Sequence, residues 1–356
     1  MKKITSFEYN SLVFFVMRAS FIGLTLGNVI NITKQDSWFS GVMSLVLGLI
    51  PLGIFIYLKK YDKDKTIAEL VLYLFKKSGV LINIFLILGA FLFALVSFSD
   101  LTSFVHSQFL YNTDYITIGV CFIIAIIYAL LKGINAISKT SLFSFFIVLF
   151  MIIMLVIGVG SGVDVDRLKP FFQVSTVNVM HASAIIISFN VVPLFLLTII
   201  PTNKVLGFSV KKIVFFYFLS FLSLINAIFL TISVLGIDLS LLYQYPEFNL
   251  LKKFEVGNFI DRLSSLLSLE WIVALLIQII VSLYFVKETT KTTFNFNEKT
   301  GNIFIIITCL TLTLLNEKLF LTNASANAFY SGPMVFIMFS YLVLAFIIAV
   351  KAYLKE

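Results

Sequence analysis

Residues 18–28 read Arg18-Ala19-Ser20-Phe21-Ile22-Gly23-Leu24-Thr25-Leu26-Gly27-Asn28, and residues 181–193 read His181-Ala182-Ser183-Ala184-Ile185-Ile186-Ile187-Ser188-Phe189-Asn190-Val191-Val192-Pro193. Each is a polar, glycine- or proline-bearing patch halfway along a run otherwise apolar enough to cross a bilayer. An arginine at the centre of a membrane helix costs roughly 2.5–3.5 kcal/mol on insertion scales, so Arg18 needs a partner or a wet cavity. Asp100, toward the outer part of the third apolar run, is the candidate partner. Gly23 and Gly27 fit either close helix packing or a broken helix. Pro193 removes a backbone hydrogen bond, leaving carbonyls near Phe189 and Asn190 to be satisfied elsewhere. A local kink is the plain reading of that patch, and an unwound centre gripping a small zwitterion is the functional one.

The runs on either side place both patches. Apolar residues make up 60% of the 356-residue chain and charged ones 12%, with a mean hydropathy of +1.05. This is far more apolar side chain than a soluble core needs. Lipid cannot satisfy backbone N–H and C=O groups, and unbroken apolar stretches lack a barrel's alternation, so the spans are helices. Ten are expected: Tyr9 to Ile30, Phe39 to Leu58, Val80 to Phe104, Tyr115 to Leu131, Ser141 to Gly160, Ser175 to Ile200, Ile213 to Leu235, Glu270 to Val286, Gly301 to Leu315 and Ser331 to Val350. The ninth is short enough to be re-entrant. With the N-terminus inside, 18 of the 26 basic residues fall on the cytoplasmic side, seven outside and Arg18 in the membrane, which obeys the positive-inside rule and puts both termini in the cytoplasm.

The patches are therefore the midpoints of the first and sixth of ten helices, with five spans in each half. That is the pattern of a 5+5 inverted-repeat transporter fold, all-α, with its site at the midplane between two broken helices. One transmembrane domain covers residues 1–356, with repeats of about 1–172 and 173–356 and an outer helical cap over about 238–269, where Asn249 to Leu267 has helical patterning. Thr66 to Lys77 alternates apolar and polar residues at helical spacing, as an amphipathic helix on the cytoplasmic face would.

Other function classes fit poorly. The basic residues are scattered through membrane-flanking loops, which argues against nucleic acid. Cys121 and Cys309 lie apart in apolar runs and read as packing residues, with no metal or disulfide role. With two histidines, no phosphate-binding glycine loop and no nucleophile beside a base, no catalytic residue, cofactor or metal ligand is assigned. The candidate ligand-binding residues are Ser20, Gly23, Leu24, Ser97, Asp100, Phe189, Asn190 and Gln278, with Ser282 nearby and Arg18 with Asp100 as a candidate ion pair. A bound carboxylate would sit at free N–H groups near Gly23, and its amine at carbonyls near Asn190.

Several segments carry a family resemblance that spans essentially the whole chain. Lys34-Gln35-Asp36-Ser37-Trp38, the outer stretch from Tyr245-Pro246 through Asn258-Phe259-Ile260-Asp261-Arg262-Leu263 to Glu270-Trp271, Asp164 to Pro170, and Gly133 to Lys139 come in the order and spacing of one family. The chain thereby resembles the endospore germination permeases, the B-type subunits of nutrient germinant receptors, within the amino acid–polyamine–organocation permeases. Physically, Asp36 would cap the second helix and Trp38 anchor it at the interface. Family members often carry Gly-Glu where this chain has Val191-Val192, and proline where it has Asp114. Arg18 with Asp100 is the candidate compensation for the missing acid. The resemblance implies a LeuT-like fold in the spore inner membrane. It also implies an A-type membrane subunit and a C-type lipoprotein subunit as partners, and a small nutrient, an amino acid above all, as ligand. An autonomous proton- or sodium-coupled amino acid transporter is the alternative, and a purely structural scaffold a third.

Overall fold

The computed structural model describes residues 3–21, 23, 25–251, 263–319 and 329–355. Nine continuous helical stretches among them are long and apolar enough to cross a membrane. The interrupted first span, 13 residues before its break and nine after it, supplies the tenth crossing. Its inner half is α1 (Ser6–Arg18), started by a capping box in which Thr5 and Glu8 satisfy each other's backbone N–H. A 3₁₀ turn, Ala19–Phe21, follows, and the chain passes Gly23 at φ +80 before α2 (Thr25–Thr33). Glycine pays little for that left-handed conformation, so it is a natural place for a helix to stop.

The second span is α3 (Ser37–Leu47) and α4 (Leu49–Tyr61), hinged at Gly48, where the Tyr217 hydroxyl donates to the Leu45 carbonyl at 2.6 Å. The amphipathic segment is α5 (Ile67–Phe75), again opened by a capping box, Thr66 with Glu69. Its apolar face, including Leu70, Val71 and Leu74, is buried, and Asn83 ties it to the third span by donating to the Ala68 carbonyl at 3.2 Å. The third to fifth spans are α6 (Gly79–Gln108), α7 (Tyr115–Lys132) and α8 (Ile134–Val159).

The sixth span is almost wholly enclosed by protein. It runs as α9 (Thr176–Ile186), then one π-helical stretch, Ile187–Val191, then a 3₁₀ stretch, Val192–Ile199. The interruption expected here is thus a change of pitch and not an extended gap. Pro193 lies in the first turn of the 3₁₀ stretch, where a missing N–H costs little. The seventh span is α10 (Val210–Leu242), kinked at Gly236 with φ 77. Its outer connection holds the short α11 (Pro246–Leu251). The rest of the expected outer cap, with Lys252, Lys253, Glu255, Asp261 and Arg262, lies outside the described residues.

The eighth span is α12 (Leu263–Phe294) and the ninth α13 (Glu298–Leu319). At 22 residues and about 1.5 Å per residue, α13 is long enough to cross the hydrocarbon, so the ninth span is not a short re-entrant segment. A π stretch, Tyr330–Met334, leads into the last helix, Val335–Tyr353.

The two faces of the bundle are closed differently. On the side that carries the N-terminus, β1 (Ile4–Thr5) pairs in parallel with β2 (Val205–Leu206) just past the sixth span. Buried Lys59 donates to the Ile200 carbonyl there, its ammonium 5.1 Å from the Tyr9 ring centre. On the opposite side Asp36 does not cap the second span as expected. Its carboxylate accepts the N–H groups of Phe172 (2.7 Å) and Val174 (2.9 Å), because the irregular segment before the sixth span brings these donors against it. Trp38 packs edge-on against Phe171 and Phe172 beside that latch.

Candidate functional site

The break in the first span meets the pitch change in the sixth. The Ala19–Phe21 turn packs against Ile187–Val191, and both lie in the core beside the eighth span. Local bonds explain the turn: the Thr25 hydroxyl reaches back to the Ser20 carbonyl at 2.8 Å, and the Ser20 hydroxyl donates to Gln278 Oε1 at 2.8 Å. Gln278 in turn donates to the Val16 carbonyl at 3.3 Å. Ser20 and Gln278, 258 residues apart, are therefore joined across the spans.

In the π stretch, Asn190 donates to the Ile186 carbonyl at 3.0 Å, while its Oδ1 and the Ser188 hydroxyl are buried without a hydrogen-bond partner. Such atoms at membrane depth are costly. Phe189 is buried among them. Ser97 spends its hydroxyl on the Phe93 carbonyl of its own helix, and Ser282 likewise on Gln278. Leu24 lies outside the described residues, and His181 is exposed on the outer half of the sixth span.

Arg18 is buried as expected, but its partner is different. Its guanidinium pairs with Glu270 at the start of the eighth span and donates to Ser223 Oγ at 2.8 Å, leaving Nη1 without a partner. Asp100 instead lies against Gly23. A Cβ built on that glycine would stand 2.7 and 2.9 Å from the two Asp100 carboxylate oxygens and 2.9 Å from the Tyr245 ring. The Tyr245 hydroxyl hydrogen-bonds Asp100. The expected Arg18–Asp100 pair gives way because Glu270, on the span next to the first, reaches the guanidinium.

Glu247 of α11 completes the group and had no signal in the sequence beyond its neighbours Tyr245 and Pro246. It is 4% exposed, and neither carboxylate oxygen makes a well-formed hydrogen bond. Burial pushes its carboxyl up to about 8, although its own N–H, the Gly23 N–H and the Arg18 charge all pull the other way. Two of the protein's own carboxylates already face the positive end of α2 at the Gly23 N–H, where the expected pose puts a ligand carboxylate.

A cleft of about 310 Å³ is lined by Gly23, Gly27, Asn28, Asn31 and residues 240–244. Phe104, Tyr245, Phe248 and Trp271 pack together beside it, with Phe104 at 5.1, 5.5 and 5.3 Å from the other three ring centres. Among the described residues no three His, Cys, Asp or Glu are grouped to hold a metal. Cys121 and Cys309 are unpaired.

This arrangement has relatives. The putative spore germination protein YfkT of Bacillus subtilis (strain 168) is 23% identical over 284 residues, covering 78% of this chain and 77% of that protein. Spore germination protein A2 of the same organism is 27% identical over 370 residues, covering 99% and 96%. Among solved structures, a sodium-coupled sialic acid symporter matches with a TM-score of 0.65 at 12% identity, covering 95% of this chain and 79% of its own. The nucleobase-cation-symport-1 family transporter MHP1 matches at 0.53 and 14%, covering 94% and 78%. These structural neighbours are LeuT-fold transporters, which places the ten helices and their two interruptions in that fold. The family model described as spore germination protein matches residues 3–320, and over that length the chain belongs to the spore germination permease family.

Proposed function

We propose that this protein is the B-type membrane subunit of a nutrient germinant receptor, binding a small nutrient, an amino acid above all, where the first span breaks against the sixth. The observation that carries this reading is the pairing of those two interruptions with buried polar atoms that have no partner: Ser188 Oγ, Asn190 Oδ1 and Arg18 Nη1. Binding there shifts the balance between two packings of the bundle only as far as the nutrient prefers one of them. The shift passes to an A-type membrane subunit and a C-type lipoprotein subunit in the spore inner membrane, with both termini of this chain in the cytoplasm.

The test is direct binding of amino acids and other small nutrients to the purified chain, repeated with Gly23→Trp. Saturable binding lost in that variant is expected, and binding unaffected by it would remove the pocket. The second reading, a coupled transporter, is favoured by the sodium-coupled symporter among the structural neighbours. It is disfavoured for sodium by Ser282, whose hydroxyl is spent on its own helix. Uptake by the chain alone in proteoliposomes would decide for transport.

A further inference from the structure

The acidic group around Gly23 holds more carboxylates than cations. Asp100, Glu247 and Glu270 are 5%, 4% and 6% exposed, and the cation among them, Arg18, is committed to Glu270 and Ser223. Asp100 and Glu247 repel each other. Tyr245 gives Asp100 one hydrogen bond, while Glu247 has only backbone N–H groups, its own and that of Gly23, turned toward it and no well-formed hydrogen bond. A buried carboxylate without a countercharge is stable only when it takes up a proton or a cation. The cleft reaches Gly23, against which the Asp100 oxygens lie, so its floor is one residue away from the pair.

We infer that Glu247 and Asp100 form an ammonium subsite, in which the cationic amine of a nutrient that descends the outer cleft pairs with the two carboxylates at Gly23. The inference rests on the nutrient-binding reading and adds to it the charge of the group recognised. It also reverses the orientation expected from sequence, with the amine at the break of the first span. The unpartnered Nη1 of Arg18 is a matching donor for an anionic end of the same ligand. An organic ammonium suits the place better than a bare metal ion. No metal-holding group of three acids is present among the described residues, and Tyr245, which hydrogen-bonds Asp100, belongs to a buried aromatic cluster with Phe104, Phe248 and Trp271.

Matched probes test it on the full-length purified chain in nanodiscs. The twenty amino acids, their decarboxylated amines and their deaminated acids are screened by calorimetry, with valine, isobutylammonium and isovalerate as one such trio. Binding by amine-bearing probes, weakened about tenfold or more when the amine is removed, is expected. The same loss is expected in Glu247→Gln and in Asp100→Asn, while Asp166→Asn, an exposed outer position, binds as the parent does. Glu247→Gln keeps the shape and removes only the charge, and its melting curve reports that it folds. Equal affinity for amines in folded Glu247→Gln, protection by sodium or potassium ions alone, or no amine binding anywhere in the panel would each overturn the subsite. An amine-free nutrient whose binding is lost in Gly23→Trp would leave the nutrient reading standing and end this one.

Discussion

Arg18 is the residue whose energetics most constrain the core. It and Glu270 are both more than nine-tenths buried and paired. Removing one partner of such a pair leaves a bare charge in low dielectric and costs about 3–5 kcal/mol, whereas replacing both with apolar side chains of similar size is often near neutral. Glu270→Leu alone is therefore expected to lower the melting temperature of the detergent-purified protein sharply, and Arg18→Met with Glu270→Leu to recover most of the loss. Additive losses would mean the two do not interact. Glu247 gives a second prediction, of opposite pH sense to an ordinary salt-bridged acid. Its carboxyl stands at about 8 in the fold against an ordinary 4.5, first because of burial and despite Arg18. The groups acting on it are Arg18 and the Asp100 carboxylate. The folded state thus holds a proton that the unfolded state has lost, and its contribution is complete below the ordinary value and disappears as pH rises through about 8. The melting temperature should fall by a few degrees between about pH 6 and pH 9, and Glu247→Gln should flatten that slope. Arg18 and Asp100 stood out in the sequence as charges inside apolar runs. The acids they meet did not, since Glu270 sits at a helix start and Glu247 in a connection, where carboxylates are ordinary, and only folding across more than 140 positions buries them.

At the scale of elements, composition located what periodicity could not shape. Ten spans, the capped amphipathic α5 and the glycine break of the first span follow from apolar run length and from residues whose conformational preferences are strong. The sixth span was legible as interrupted but not in what form, because Pro193 is compatible with a kink, a gap or a change of pitch. The choice of π followed by 3₁₀ depends on the first, second and last spans packed against it. The outer signature was likewise visible as a motif and misread in mechanism. Asp36 holds two backbone N–H groups 136 and 138 residues away, and one of them belongs to Phe172, whose φ of 58 is an unfavourable left-handed conformation. The carboxylate and the edge-on Trp38 and Phe39 rings keep Phe172 there. Asp36→Ala should speed hydrogen exchange at the Phe172 and Val174 amides by about tenfold or more, since each loses a charge-assisted bond. Exchange at α5, on the other face of the bundle, should not change. Unaltered exchange at those two amides would show that ring stacking alone holds the latch.

Across the whole molecule, the two ends of the bundle differ in a way that gives the charge asymmetry a structural meaning. The face carrying most of the lysines is the one closed by the β1–β2 pair, by Lys59 on the Ile200 carbonyl and by α5. The face poor in basic residues carries the open cleft that leads to Gly23. If the positive-inside rule orients the chain, a nutrient reaches Glu247 and Asp100 from outside while the inner route is shut. The ninth span decides whether the C-terminus shares the side of the N-terminus, and α13 at 22 residues is long enough to cross. Single cysteines at Asn31, Lys77 and Lys355, all exposed, test this together, in a Cys121→Ala, Cys309→Ala background. In right-side-out vesicles a membrane-impermeant maleimide should label Asn31→Cys at once, and Lys77→Cys and Lys355→Cys only after permeabilisation. Immediate labelling of Lys355→Cys with Lys77→Cys still protected would take one crossing out of the bundle. Immediate labelling of both, with Asn31→Cys protected, would invert the molecule and put the cleft, and the carboxylates at its floor, on the side of the cytoplasm.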